Sequence, residues 1–252
     1  MPDGTESNLY EALRSFQNHF KGILSVSKSV QNHMFKSGIN SKVKYLGVDT
    51  EVFKKKDSPS FKIREKFNIS DDAFVILYTG RIIKEKGLDI LPEIYKKLID
   101  RDKAFLTIHF LFIGDGKYRK EFGEQIKNEN LDHRFHFAVV DSDEKLADIY
   151  SSANCFILPS RREALGLSLL EAMSCSLPCL ASDLLGINEI IKNTKNGFLI
   201  PLDNQTEYVR WISGLYVNKN LRNDLGQAAR VTVEEEFSFE SHVNYFIKRL
   251  LR

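Results

Sequence analysis

Residues 155–181 read Cys-Phe-Ile-Leu-Pro-Ser-Arg-Arg-Glu-Ala-Leu-Gly-Leu-Ser-Leu-Leu-Glu-Ala-Met-Ser-Cys-Ser-Leu-Pro-Cys-Leu-Ala. The run Cys155 to Leu158 has no polar face, as a strand covered on both sides requires. Leu167 to Cys175 carries apolar residues at helical spacing, and Pro178 to Ala181 is a second short apolar run. Two buried strands joined by a helix form a parallel crossover unit, which places the chain among α/β folds.

The same rhythm continues in both directions. Strands are expected over Phe74 to Thr79, Leu106 to Ile113, Arg134 to Val140 and Gly197 to Ile200. Helices are expected from Leu88 to Asp100, with Pro92 near the first turn, from Gly116 to Asn130, and from Ser142 to Ser151. Further helices are expected at Asn188 to Lys192, Thr206 to Tyr216, Leu221 to Glu236 and Phe239 to Leu251. Upstream, Leu9, Leu13, Phe16 and Phe20 form a helical stripe, and Ile23 to Val26 reads as a brief strand. Ser27 is placed to cap a helix that ends at Ser37-Gly38, and Lys42 to Leu46 follows as a strand. Arg64 to Phe67 has room for a turn or two of helix. The expected fold is a Rossmann-like, mostly parallel sheet with helices on both faces. The divisions read as a leading helix–strand–helix–strand segment (1–46), a connector (47–60), the main domain (61–236) and a closing helix (237–252).

Composition removes other classes. The 252 residues are 42% hydrophobic and 28% charged, which is globular and neither disordered nor fibrous. Thirty-six basic against 34 acidic residues leave +2, so no polybasic footprint argues for nucleic acid. The longest apolar stretch, Phe105 to Phe112, is broken by Thr107 and His109 and is far short of a membrane span. The opening Met-Pro-Asp-Gly-Thr-Glu-Ser-Asn has no basic-then-apolar leader pattern, so a cytoplasmic protein is expected. Three cysteines, Cys155, Cys175 and Cys179, sit among apolar or small residues and read as small buried hydrophobes in a reducing compartment. His133 and His136 flank or enter an apolar strand without a carboxylate partner and read as ordinary half-buried histidines; no metal is expected.

In parallel sheets ligands bind beyond the carboxyl ends of the strands, so the loops there carry the functional question. Thr79-Gly-Arg-Ile-Ile-Lys-Glu-Lys-Gly87 puts Arg81 just after a strand and Lys86 just before a helix, with Gly80 allowing close backbone approach. On spacing alone a solvated basic loop is the simpler reading. Gly114-Asp-Gly116 fits a tight turn near a ligand but does not match a dinucleotide fingerprint, and a dinucleotide-dependent enzyme is disfavoured. Glu163 lies after a strand, and Glu171 about one turn into the next helix, with the free amides of Leu165 to Ser168 between them. A ligand with hydroxyls at both ends and a diphosphate between them suits that order. Glu171 sits among Leu169, Leu170, Ala172 and Met173, so its carboxylate needs partners. Glu163 reads equally as charge compensation at a helix start. Asp141-Ser-Asp143 matches a metal-binding triplet only superficially, and Ser142 or Asp143 caps a helix more simply.

Taken together, these loops resemble the donor-binding half of family 4 glycosyltransferases of the GT-B fold. The likeness runs through Leu46 to Phe53, Tyr78 to Gly87, Phe112 to Gly116, Leu158 to Ser160, Glu163 to Ala181 with its E-x7-E arrangement, Asn196 to Pro201 and the helix after Phe237. The resemblance implies that Arg81 and Lys86 hold a diphosphate, that Glu171 binds ribose hydroxyls, and that Glu163 engages the hexose. It implies contacts from Gly80, Gly114 and the amides of Leu165, Gly166 and Leu167, with the base against Val139 or Val140. It also implies transfer with retention and without metal from a nucleotide-diphospho-sugar to a glycan or lipid-linked acceptor; a UDP-sugar is preferred here to a GDP-sugar. Catalytic roles then fall on Glu163, Arg81 and Lys86. A noncatalytic nucleotide-sugar-binding module or regulatory subunit is the alternative. The chain departs from the pattern at Ala138, Ala164-Leu165, Ser176 and Leu185. Family members carry an N-terminal acceptor-binding domain, and residues 1–46 are too few to form it. An excised piece of a longer protein, or a chain working with a separate acceptor-binding subunit at the inner face of a membrane, is therefore expected.

Overall fold

Strand β3 (Phe74–Thr79) is apolar at every position but its last and is buried along its whole length, so it can only lie inside a sheet covered on both faces. A computed structural model describes residues 11–15, 19 and 22–250. Around β3 it sets β4 (Ile108–Ile113), β5 (Phe135–Ala138), β6 (Cys155–Leu158), β7 (Cys179–Ser182) and β8 (Phe198–Ile200). Every pairing is parallel and the order is β5-β4-β3-β6-β7-β8. This is the doubly wound order, in which the order of strands along the sheet reverses between β3 and β6 while every strand stays parallel. The crevice outside the carboxyl ends of those two strands is where such a sheet binds ligands.

Helices α3 (Leu91–Arg101), α4 (Arg119–Asn128), α5 (Asp143–Ser152), α6 (Leu167–Ser174), α7 (Gln205–Val217) and α8 (Lys219–Glu236) cover the sheet. Pro92 sits in the first turn of α3, where its missing N–H has no helical partner to lose. Ser142 accepts a hydrogen bond from the Lys145 amide and caps α5, as expected of that triplet. Ser176 takes φ 58° just beyond α6, the left-handed conformation for which glycine would be the easier residue. All three cysteines are buried and free.

Before the sheet lie β1 (Leu24–Ser25) and β2 (Lys42–Val43), paired in parallel, with α1 (Lys28–Lys36) between them. Ser27 caps α1 through the Val30 amide. The short α2 (Ile63–Lys66) follows, and α9 (Phe239–Leu250) closes the chain. Before α9 the chain returns to the connector: the Val48 amide donates to Phe237 O, the Phe239 amide donates to Val48 O, and His242 bonds Tyr45 O. Three of the four residues of the Leu9–Phe20 stripe fall outside the described residues.

One expected helix is absent. Asn188 to Lys192 runs as successive turns, with a mixture of three- and four-residue hydrogen bonds after Ile187. The buried Asn196 side chain takes the Lys192 amide and donates to Ile190 O, which diverts the chain from a helical ladder. The expected strand from Leu106 begins only at Ile108, because Lys103–Thr107 forms a 3-10 turn capped by Asp102.

The amino ends of β4 and β5 hold a separate cluster. Arg134 donates to Nε2 of His109 at 2.7 Å, and Nδ1 of His109 lies 2.8 Å from Nε2 of His136. Since Arg134 can only donate, His109 carries its proton on Nδ1 and donates to His136. The two rings stack, and His136 also stacks on Phe67. Burial first, and then the Arg134 charge, push both histidines down to about 4.

Candidate functional site

A cavity of about 550 Å³ opens at the switch point between β3 and β6. Its walls include Gly80, Arg81, Lys86, Gly114, Val139, Val140, Glu163, Leu165, Gly166, Leu167 and Glu171. These eleven residues, expected from the sequence as site members, thus line one cavity, whereas Gly116 of the second loop does not. Chain order explains how: each belongs to a loop or helix start that follows the carboxyl end of β3, β4, β5 or β6.

The phosphate-loop candidates are positioned by β3. Tyr78, buried in the strand, donates its hydroxyl to Arg81 O at 2.7 Å and so fixes the turn that carries Arg81 out to solvent. Among the described residues Arg81 takes no ion-pair partner. Lys86 lies at the end of a short 3-10 turn and points across to Glu163, with Nζ 2.5 Å from Oε2. Each of the two side chains keeps only 15% of its surface exposed. The ammonium has three donors, so one goes to Glu163 and two are left for other acceptors. Gly87 must be glycine, because a Cβ there would lie 2.0 Å from Pro159 O and its φ is 66°. That backbone contact is what lets Lys86 and Glu163 meet.

Arg161 ties the same two loops from outside. It forms a fork on Asp89 at 2.7 and 2.8 Å, reaches Asp203, and its amide donates to Glu85 O. Nothing in the local sequence distinguished Arg161 from its neighbour Arg162.

Helix α6 starts at Gly166, which has φ 92° and no side-chain cap. Among the described residues the amides of Leu167 and Ser168 take no protein acceptor, and both residues line the cavity, the arrangement that seats an anion. Glu171 projects from the second turn of α6. Its Oε2 accepts a 2.8 Å hydrogen bond from Tyr150, whose hydroxyl also lies 2.5 Å from Thr79 Oγ1. Burial pushes the Glu171 carboxyl up to about 7; the bond from Tyr150 opposes that rise and Asp143 adds to it. Val139, exposed after β5, and Val140 add apolar surface to the cavity wall.

Lining residues not foreseen as site members include Leu146 of α5, and Val26 and Leu46, which come from the segment before the main sheet. Glu189 holds that segment in place. Its carboxylate accepts from the amides of Lys28 and Ser29 at the start of α1, and from the Tyr45 hydroxyl at 2.9 Å. Burial and that carboxylate push Tyr45 up to about 12. The loop carrying Glu189 is pressed on the Glu163 loop, since a Cβ at Gly186 would lie 2.6 Å from Ala164 O. These partners are 144 to 161 positions apart in sequence, so no local pattern could reveal them.

Comparison with known proteins identifies the architecture. A family model described as glycosyl transferases group 1 matches residues 59–232. The chain belongs to the glycosyl transferases group 1 family. Among the proteins it is similar to, the N-acetyl-alpha-D-glucosaminyl L-malate synthase of Bacillus anthracis is 24% identical over 96% of this chain and 62% of its own length. The sulfoquinovosyl transferase SQD2 of Arabidopsis thaliana is 31% identical over 75% of this chain and 36% of its own. The crystal structure of Anabaena Alr3699/HepE in complex with UDP superposes with a TM-score of 0.86, at 20% identity, over 99% of this chain and 69% of that one. The C-terminal domain of the group 1 protein LpcC from Francisella tularensis superposes with a TM-score of 0.65 at 22% identity, over 76% of this chain and 99% of that one. The chain thus has the fold of the C-terminal half of a GT-B glycosyltransferase and spans about three fifths of the length of the first of these relatives. Among the described residues no group of three or more His, Cys, Asp or Glu could hold a metal, and no helix is long and apolar enough to cross a membrane.

Proposed function

We propose that the cavity binds a nucleotide-diphospho-sugar and that the chain is the donor half of a retaining, family 4 type hexosyltransferase acting without metal. The observation that carries this reading is that one cavity gathers Glu171, the uncapped start of α6, Arg81, Lys86 and Glu163, with Lys86 paired to Glu163. A carboxylate suits a vicinal diol, free amides and cations suit a diphosphate, and a second carboxylate suits further hydroxyls. Glu171 takes the ribose, the base rests on Val139 and Val140, and Glu163 takes the hexose. Gly80, Gly114 and the amides of Leu165, Gly166 and Leu167 let the ligand approach the backbone. A UDP-sugar is the favoured donor over a GDP-sugar; binding of UDP by the similarly folded HepE supports that choice.

In the transfer, the acceptor hydroxyl oxygen bonds to the anomeric carbon as the bond from that carbon to the diphosphate breaks. The departing diphosphate takes the electron pair, and its oxygen accepts the hydroxyl proton on the same face, which retains configuration. Arg81, Lys86 and the α6 amides stabilise the charge that develops there. The acceptor, a glycan or lipid-linked sugar, is bound by a further domain or subunit, and residues 1–46 are read as the edge of that unit. The same reading puts the protein in the cytoplasm at the inner face of a membrane.

Calorimetric titration of this chain with UDP, GDP and ADP tests the proposal. UDP is expected to bind most tightly, and UDP-glucose more tightly than UDP. Failure of all three nucleotides to bind would overturn it. Binding without sugar transfer in the whole protein would instead support a noncatalytic module.

A further inference from the structure

The carboxylate assigned to the ribose is held from behind by a side chain that lies outside the cavity wall. Tyr150 is fully buried in α5, and its Oη lies 2.8 Å from Glu171 Oε2, 2.5 Å from Thr79 Oγ1 and 3.2 Å from the carbonyl oxygen of Ser168. A phenol has one proton to give and lone pairs with which to accept. An ionised Glu171 only accepts, so Tyr150 donates to it and accepts from the Thr79 hydroxyl. A protonated Glu171 donates to Tyr150 instead, and the phenol proton turns to Ser168 O. One side chain therefore satisfies both forms of the carboxyl, in each case through Oε2. Thr79 closes β3 and Ser168 opens α6, so the relay is anchored on the two elements that flank the switch point.

We propose that Tyr150 is the positioning residue for the nucleoside end of the ligand: it orients the Glu171 carboxyl and, by choosing between Glu171 and Ser168, governs which form meets the ribose. The proposal rests on the donor-binding reading for its ligand, but its geometry does not. The charged and titratable groups around the carboxyl are Asp143 in the first turn of α5, Cys175 just beyond the end of α6, and Arg81, Lys86 and Glu163 on the wall of the same cavity. Of these, Asp143 resists ionisation of Glu171, whereas the Tyr150 hydrogen bond favours it.

UDP-glucose is the appropriate probe, because a diphosphate esterified at both ends does not titrate near neutrality. With the Glu171 carboxyl at about 7, affinity in the unaltered chain should fall about tenfold from pH 8.5 to pH 6, as the ionised fraction falls. Tyr150→Phe should move that midpoint to higher pH, weakening binding about fivefold at pH 7 and less than about twofold at pH 9. Glu171→Gln should remove the pH dependence. A Tyr150→Phe curve that superimposes on the unaltered one would overturn the proposal. A second readout needs no ligand: the carboxyl carbon resonance of Glu171, assigned by its loss in Glu171→Gln. Its titration midpoint should rise in Tyr150→Phe, and rise by less in Thr79→Val, which keeps the phenol. An unmoved midpoint overturns the positioning role whether or not UDP-glucose binds. A raised midpoint in a chain that binds no UDP-glucose supports the role and counts against the donor reading alone.

Discussion

The two ends of the six-stranded sheet both carry titratable groups drawn out of solvent beside a cavity, and they differ in what else the fold supplies there. At the amino ends of β4 and β5, Arg134, His109 and His136 bond one another in sequence and the last ring stacks on Phe67; a cavity of about 560 Å³ opens beside them, and the buried Nε of Arg134 has no hydrogen-bond partner among the described residues. At the carboxyl ends of β3 and β6, Glu163, Lys86 and Glu171 have partners too, yet each keeps hydrogen-bonding capacity directed into a shared cavity. Both ends perturb pKa values, the histidines downward and Glu171 upward, and burial is the first cause at each. A displaced pKa alone therefore does not mark a binding site. What separates the ends is an uncapped helix start and the position of the switch point.

That contrast can be broken at either end. Glu171→Ala should have the largest effect, lowering UDP affinity about 100-fold at pH 8.5, on the scale of two hydrogen bonds to a charged group at about 1.5 kcal/mol each. Calorimetry reads this directly, and a change under about threefold would return Glu171 to the status of a buried structural carboxylate. The pair Arg81→Ala and Lys86→Ala should weaken UDP roughly 30-fold while leaving uridine within about twofold. Equal losses for both ligands would mean that these cations support the fold and not a diphosphate.

The opposite end should leave ligand affinity alone and act on stability. The folded state holds His109 and His136 at about 4, below their ordinary value, so the unfolded chain binds more protons as pH falls from about 6.5 to 4. Their contribution is complete above pH 6.5 and is lost through that window. His136→Gln keeps an acceptor for the His109 proton but does not titrate. The fall in melting temperature between pH 6.5 and 4.5 should then be about half as steep at this cluster, with UDP affinity unchanged. An identical slope would show that the acid sensitivity arises elsewhere.

Much of this arrangement was legible in the sequence, and the reason is local. Buried parallel strands have no polar face, so Phe74–Thr79 and Cys155–Leu158 declared themselves, and the glutamates, glycines and cations that follow strand ends had to gather at one side of the sheet. Asn188 to Lys192 misled because Ile187, Ile190 and Ile191 are spaced as in a helix, while the residue that prevents one, Asn196, lies several positions further on. The Thr79–Tyr150–Glu171 relay, the fork of Arg161 on Asp89 and the hold of Glu189 on α1 join residues that only tertiary packing brings together. The Lys86–Glu163 pair is of the same kind: both residues were legible as site members, but their ion pair was not.

The central claim is that Glu171 and Glu163 grip opposite ends of one ligand. The most direct test is calorimetry of Glu163→Gln with UDP and with UDP-glucose under the same conditions. UDP should bind within about twofold of the unaltered chain, since a neutral amide at that position leaves Lys86 free for phosphate. UDP-glucose should lose about tenfold, on the scale of one charged hydrogen bond. Equal weakening of the two ligands, or none of either, would contradict the account.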